Sequence, residues 1–325
     1  MKKIYTLLVL TFALVFNTAC TSNIEKTPPI TQKIQDVQVY TGSNTNTTIT
    51  PKTIENAFES VGLSVPGNND MNKPFQTRFG ATHYPSYNLA MFINNDLTFK
   101  LIKKYPSFGA LTPLTMSIWT QNKQISIATL TINGMARVTG IPLNDPDLIE
   151  YATLIQTALK KSIPNGEFKT LPFVPSHQNK ALQVTFTSTV NLNKDVGMEE
   201  YIEDFEAEFE GEIESLGFLV PNFTNLQEEI FNQHDYNEYD FYHTYSICKF
   251  DVIYPVSKLH PEAGAWAPCS FYFYKKKNED KMHMGFLSVQ NWITSLGIKD
   301  EASIKPLEEA QEMLINTIKE ITEVD

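Results

Sequence analysis

The sequence predicts two tandem α/β domains, each a two-layer sandwich of one small sheet with helices packed on one face. Three observations predict this. A segment recurs at a fixed spacing through the chain. Strand and helix periodicities alternate in the same order in both copies, which favours mixed layers over an all-helical or all-strand core. The 325 residues, 42% hydrophobic and 12% aromatic, suffice for two cores.

The repeat carries the most information. Glu59-Ser60-Val61-Gly62-Leu63-Ser64-Val65-Pro66 matches Glu214-Ser215-Leu216-Gly217-Phe218-Leu219-Val220-Pro221, an offset of 155 (214 − 59). At that offset Tyr84 falls on Tyr239, Tyr87 on Tyr242, Asp96 on Asp251 and Lys103 on Lys258. Pro106, Gly109, Ala110 and Pro113 fall on Pro261, Gly264, Ala265 and Pro268. After a two-residue insertion near Lys276, Gly140-Ile141 matches Gly297-Ile298. The expected domains are 36–161 and 181–325, joined by a linker, 162–180, carrying Pro164, Gly166, Pro172 and Pro175.

The N-terminus reads as an export signal. Lys2 and Lys3 precede an apolar run of 13 residues, Ile4 to Phe16, too short for the roughly 20 that span a bilayer. Thr18 and Ala19 then lead to Cys20, and residues 21–35 form an expected flexible tether. Residues 1–20 thus resemble a bacterial lipoprotein signal, in which Cys20 is acylated. Asn17 stands where that signal has Leu, which keeps cleavage by an ordinary signal peptidase open as the alternative. The resemblance implies export to the periplasmic side and a lipid anchor. Thr21 after the cysteine points to the outer membrane.

Each copy then follows one order. A strand opens it (Val37 to Tyr40; Gln183 to Ser188). In copy one a helix begins at Thr50-Pro51, a cap followed by Pro in the first turn. In copy two Met198, Ile202, Phe205, Phe209, Ile213 and Leu216 recur at three- and four-residue spacing, the stripe of an amphipathic helix. A strand follows (Tyr87 to Ile93; His243 to Phe250), with a connecting helix in copy one, Asp96 to Lys104. A hairpin is next (Leu114 to Trp119 with Ile125 to Leu130; Cys269 to Tyr274 with Met282 to Leu287). A last helix closes each copy (Asp147 to Lys161; Pro306 to Ile321).

One stretch carries a family resemblance. Phe92-Ile93-Asn94-Asn95 and the segment Tyr105-Pro106-Ser107-Phe108-Gly109-Ala110-Leu111-Thr112-Pro113-Leu114, running on to Trp119, are similar to domain of unknown function 302. Phe92 to Asn95 lacks the Gly and Pro of that family's turn, and copy two reads Ile247-Cys248-Lys249-Phe250 there. Copy two keeps Pro261, Gly264 and Pro268. The resemblance implies a compact two-layer α/β fold, in two copies with the second divergent. It implies no activity.

A duplicated site should repeat its reactive residues, yet the matched positions are mostly Gly, Pro and Tyr, which shape backbone and pack. Asp96 and Asp251 are expected as helix caps, and Lys103 and Lys258 as partners of that helix's C-terminal dipole. Glu55, Glu59, Glu210 and Glu214 are expected on solvated faces. Met282, His283 and Met284 form a weak copper-type metal candidate. Met282 and Met284 align with the apolar face of a strand, so core packing is the plainer reading, with His283 on the opposite face. Cys248 and Cys269 are expected as buried thiols on neighbouring strands, with a disulfide as the alternative. The helix from Glu199 to Glu214 carries nine acids and no base, in copy two alone. That is a solvated face, a docking face for a basic partner, or a weak divalent-cation site.

No dinucleotide, phosphate-loop, serine-hydrolase or zincin motif occurs, and no catalytic residue or cofactor is assigned. The formal net charge of −11 disfavours nucleic acid as a partner. The reading is a non-enzymatic binding or interaction module of the envelope, held at the membrane by its lipid and taking a small molecule or an envelope protein. The alternatives are an enzyme with a site in one copy, or a periplasmic metal or redox handler.

Overall fold

Alternating apolar strands and amphipathic helices produce the expected layers in both repeats. The computed structural model describes residues 34–323, except 174, 177–179, 191 and 193–196. Cys20, the signal (1–20) and the tether up to residue 33 lie outside the described residues.

The first repeat runs β1 (Val37–Ser43), α1 (Pro51–Glu59), β2 (Ser64–Asp70), α2 (Asn72–Phe79), β3 (Ser86–Ile93), α3 (Asn95–Lys104), β4 (Leu114–Gln121), β5 (Gln124–Leu130), α4 (Ile132–Thr139) and α5 (Pro146–Ser162). A three-residue strand, β6 (Glu167–Lys169), follows within the segment expected as linker and pairs with β1. The second repeat runs β7 (Gln183–Thr189), α6 (Met198–Ser215), β8 (Leu219–Asn225), α7 (Leu226–Glu229), β9 (Tyr239–Cys248), α8 (Phe250–Leu259), β10 (Cys269–Lys276), β11 (Lys281–Leu287), α9 (Gln290–Ser295) and α10 (Glu301–Thr322). The sheets are ordered β2-β3-β4-β5-β1-β6 and β7-β11-β10-β9-β8, and all pairings are antiparallel. Matched strands thus hold matched places.

On one face of each sheet lie the long helices. Phe58 of α1 meets Phe92 edge-on at 5.0 Å, and Phe209 of α6 stacks on Phe271 at 4.7 Å. Thr50 caps α1 in a capping box with Thr53, and Asp145 and Asp300 cap α5 and α10.

Several elements depart from the sequence expectation. The strands β2 and β8 were not expected, because Pro66, Gly67, Asn68, Asn69 and Asp70 are poor strand formers. They form because each is an edge strand whose pairing is supplied by one neighbour, with a register shift that accommodates the Pro-containing stretch. The helix α8 forms in copy two despite Pro255, whose position in the second turn forfeits one backbone bond. Likewise α10 begins at Glu301, ahead of Pro306.

The opposite faces of the two sheets are not free, and residues 33–325 form one compact unit. A 3-10 turn of the first repeat, Pro106–Leu111, packs on the second repeat's sheet, and its counterpart Pro261–Ala265 packs on the first repeat's sheet. The exchange is reciprocal down to single atoms. Tyr87 donates from its hydroxyl to the Pro261 carbonyl at 3.2 Å, and its match Tyr242 donates to the Pro106 carbonyl. Phe79 stacks on Tyr254 at 4.0 Å, and His234 stacks on Phe99 at 4.0 Å; at the offset of 155, Phe79 corresponds to His234 and Phe99 to Tyr254. A Cβ at Gly109 would meet Tyr272 Cβ at 2.8 Å, and one at Gly264 would meet Leu89 Cδ2 at 2.6 Å. Both glycines are therefore required by close approach rather than by backbone angle.

The interlock corrects two expectations. Asp96 and Asp251 are not caps. Asn94 caps α3, while Asp251 pairs with Arg78 at 2.7 Å and Asp96 with His234 at 3.4 Å, across the two repeats. Lys103 does sit in the last turn of α3, but its ammonium also lies 5.2 Å from the ring of Tyr236 in the other repeat.

Candidate functional site in the second repeat

In the second repeat, α6 lies across the sheet with Phe205, Phe209 and Ile213 buried against it. On the facing side of β9, alternation places Phe241, His243 and Tyr245 toward that helix. His243 is only 6% exposed, and its Nδ1 lies 2.6 Å from Glu206 Oε1. Tyr245 donates to Glu210 Oε1 at 2.9 Å. Burial, and after it the carboxylates of Glu206 and Glu210, push the Tyr245 phenol far above its ordinary range, so it remains a donor.

Beyond this pair the helix parts from the sheet. A cleft of about 630 Å³ opens there, bounded by the N-terminal half of α6, the end of β8 with α7, and the start of β9. Its carboxylates are Glu199, Glu203 and Glu206 on α6, Glu228 on α7 and Asp240 on β9. Asp240 is already paired with the buried Lys275 ammonium, and Lys277 is bound to Asn237 Oδ1. Glu206 is held by His243, while Glu199, Glu203 and Glu228 have no ion-pair partner among the described residues. The half-exposed ring of Phe223 forms an apolar wall and meets His243 edge-on at 5.3 Å. Gln227 commits its amide N–H groups to Asn232 Oδ1 (2.9 Å) and the Tyr236 carbonyl (3.0 Å), while its buried Oε1 accepts no hydrogen bond among the described residues.

The first repeat does not build this cleft. Its α1 has 9 residues against 18 in α6, and at the common offset Pro51, the first residue of α1, stands where Glu206 does. The turns carrying Glu199 and Glu203 thus have no helical counterpart. Asn88 takes the place of His243, and Asn88, Asn68 and Glu55 close the space through side-chain bonds of 3.0 and 3.2 Å. Glu55 is half-buried rather than solvated, whereas Glu210 is exposed as expected; each accepts a hydrogen bond from its own sheet.

The other sequence candidates lie elsewhere. Met282 and Met284 are fully buried on the helix-facing side of β11, whereas His283 lies on the opposite side, bonded to Glu279 at 2.9 Å and stacked on Tyr274. Among the described residues no group of three or more His, Cys, Asp or Glu is placed to hold one metal ion. Cys248 and Cys269 are free thiols, so the disulfide their neighbouring strands suggested is not formed. They line an apolar cavity of about 50 Å³ with Trp292, Ala310 and Leu314, and burial pushes both thiols up to about 12. No helix of the described residues is long and apolar enough to cross a membrane.

Of the cleft, the acidic stretch was visible in the sequence. His243 was missed, though a signal existed: a histidine alternating with Phe241 and Tyr245 on an apolar face, opposite an acidic helix.

The family model for domain of unknown function DUF302 matches twice, over residues 39–163 and 190–321. The chain belongs to the DUF302 family. A crystal structure of an uncharacterised conserved DUF302 protein from Bacillus stearothermophilus is similar at 19% identity, covering 38% of this chain and 94% of that one, with a TM-score of 0.30. No curated protein matches the chain. The two DUF302 matches are tandem copies, and the Pro-Gly-Ala-Pro stretch on which the sequence resemblance rested is, in both copies, the segment inserted into the other repeat. In this DUF302 chain the shared motif is thus a docking device between repeats. Apart from Tyr239, which matches Tyr84, the cleft residues named above differ between the copies.

Proposed function

We propose that this DUF302 protein is an exported, lipid-anchored binding module of the bacterial envelope, without catalytic activity, whose ligand site is the cleft of the second repeat. The observation that carries the binding reading is the cleft itself: a concave, largely polar space of about 630 Å³, lined by five carboxylates, of which Glu199, Glu203 and Glu228 have no ion-pair partner among the described residues, and by one buried histidine. Concave sites with a few convergent polar groups are the ordinary form of ligand pockets. Among the described residues no Ser, Thr or Cys lines it to serve as a nucleophile beside His243, which favours binding over acyl or phosphoryl transfer. The remaining charged residues that the copies share in and around the interlock, such as Asp96 and Asp251, are spent on holding the repeats together.

The anchor rests on Lys2, Lys3, the apolar run Ile4 to Phe16 and Cys20. A Cys20→Ala chain expressed in a bacterium should lose labelling by radioactive palmitate. Labelling that persists in that variant would overturn the anchor. Native mass spectrometry of residues 21–325 purified from a periplasm tests the binding role. Extra mass lost on denaturation supports it. A bare mass, with no shift on adding concentrated periplasmic small molecules, counts against it.

A further inference from the structure

We infer that a pocket at the junction of the two repeats takes a small aromatic amine, at a site separate from the acidic cleft. The pocket has a volume of about 250 Å³ and lies where the edge strands β2 and β8 of the two sheets approach each other. Pro74 and Leu89 of the first repeat line it, and so do Leu219 and Phe250 of the second. The interlock holds these walls in place. Leu89 packs against Gly264, Phe250 meets Phe75 of α2 edge-on at 6.4 Å, and Asp251 next to Phe250 is paired with Arg78. A preformed pocket spares a ligand the cost of ordering its walls. Asn69, Asp70, Leu219 and Pro221 are exposed, so the pocket has a mouth on the surface.

Size and lining select the ligand. A dry cavity of about 150 Å³ holds one benzene, so this pocket holds a ring system of about ten heavy atoms, the size of an indole. Three prolines, Pro74, Pro221 and Pro268, line it with rigid rings that lose no rotamer freedom on binding. The thioether of Met71 and the ring of Phe250 add favourable contacts for an aromatic face. One charge lies at the mouth. Asp70 accepts the Asn72 N–H at 3.0 Å and has no ion-pair partner among the described residues, so it favours a ligand bearing an ammonium over one bearing a carboxylate. The interlock is otherwise reciprocal, yet this lining belongs to one side of it. At the offset of 155, Leu219, Phe250, Leu89 and Pro74 correspond to Ser64, Asn95, Thr244 and Glu229, all polar.

The test is calorimetric titration of residues 21–325 with tryptamine, and with indole as the uncharged probe. Saturable one-to-one binding of tryptamine with a Kd of about 0.1–1 mM is expected for a ligand of about a dozen heavy atoms. Indole-3-acetate should bind more weakly than either. L219S installs the residue that β2 carries at the matched place and should weaken both tryptamine and indole about fivefold, through lost apolar contact. D70N keeps the acceptor for the Asn72 N–H; it should weaken tryptamine about two- to fivefold and leave indole unchanged. E199Q/E203Q, in the acidic cleft, should bind tryptamine as the parent does. Absence of saturation by about 10 mM tryptamine, or parental affinity in both L219S and D70N, overturns the inference. Binding lost in E199Q/E203Q and kept in L219S assigns the amine to the cleft, which overturns this site and leaves the binding reading of the cleft intact.

Discussion

Replacing Gly109 by Ala tests whether the interlock holds the two repeats together. The added methyl would lie 2.8 Å from Tyr272 Cβ and 3.0 Å from Tyr242 Cζ, closer than ordinary van der Waals contact. The Tyr242 ring has nowhere to move. It is fully buried, with Tyr274 at 5.1 Å, Tyr239 at 5.3 Å and Phe231 at 5.8 Å. The turn must therefore lift from the sheet, and overpacking of this kind costs about 1–3 kcal/mol. Lifting also breaks the bond from Tyr242 to the Pro106 carbonyl, adding about 1 kcal/mol. The total is about 2–4 kcal/mol, or roughly 3–7 °C in Tm for a unit of this size. Urea unfolding followed by circular dichroism and by tyrosine fluorescence measures it. Gly211→Ala is the control, because that glycine is inside α6 with nothing within 4 Å of the new Cβ. It should stabilise by about 0.5–1 kcal/mol. A Gly109→Ala protein as stable as the parent, with Gly211→Ala behaving as stated, would refute the close packing on which the argument stands.

Other consequences follow from the same geometry. Tyr87→Phe and Tyr242→Phe each delete one of the matched hydroxyl bonds, so each should cost about 1 kcal/mol in urea unfolding, and the two losses should be similar. The Cys248 and Cys269 thiols, raised by burial from 9.0 to about 12, contribute stability that is fully present below pH 9 and lost as pH rises from 9 through 12. Unfolding midpoints should fall over that window, and fall less in a Cys248→Ala/Cys269→Ala chain. For His260, burial acts to lower the pKa, but the carboxylates of Glu262 and Asp300 outweigh it and raise the value above 6.5. Its contribution is therefore present below pH 6.5 and lost as pH rises through the raised value, which a His260→Gln variant should abolish in midpoints measured between pH 6 and 9.

Much of the fold could be read without coordinates. The Glu59–Pro66 and Glu214–Pro221 match revealed the duplication, and alternation in β4, β5, β10 and β11 identified the hairpins. The stripe from Met198 to Leu216 showed which side of α6 is buried. These signals are local, because a strand or helix face repeats every two to four residues. Elements whose stability comes from a neighbour were silent. The edge strands β2 and β8 have weak intrinsic preference and exist through pairing, and α8 tolerates Pro255 because its apolar face is packed.

The sequence by itself determined the repeat, the order of most elements, the apolar faces and the presence of nine acids on one helix. Only the tertiary structure decided what the matched residues are for. Tyr87 and Pro261, or Gly109 and Tyr242, lie more than a hundred residues apart, and no periodicity links them. The cleft was settled in the same way, because it depends on where α6 overhangs the sheet and which way His243 faces. Both are set by packing between distant segments, and only the folded chain brings those segments together.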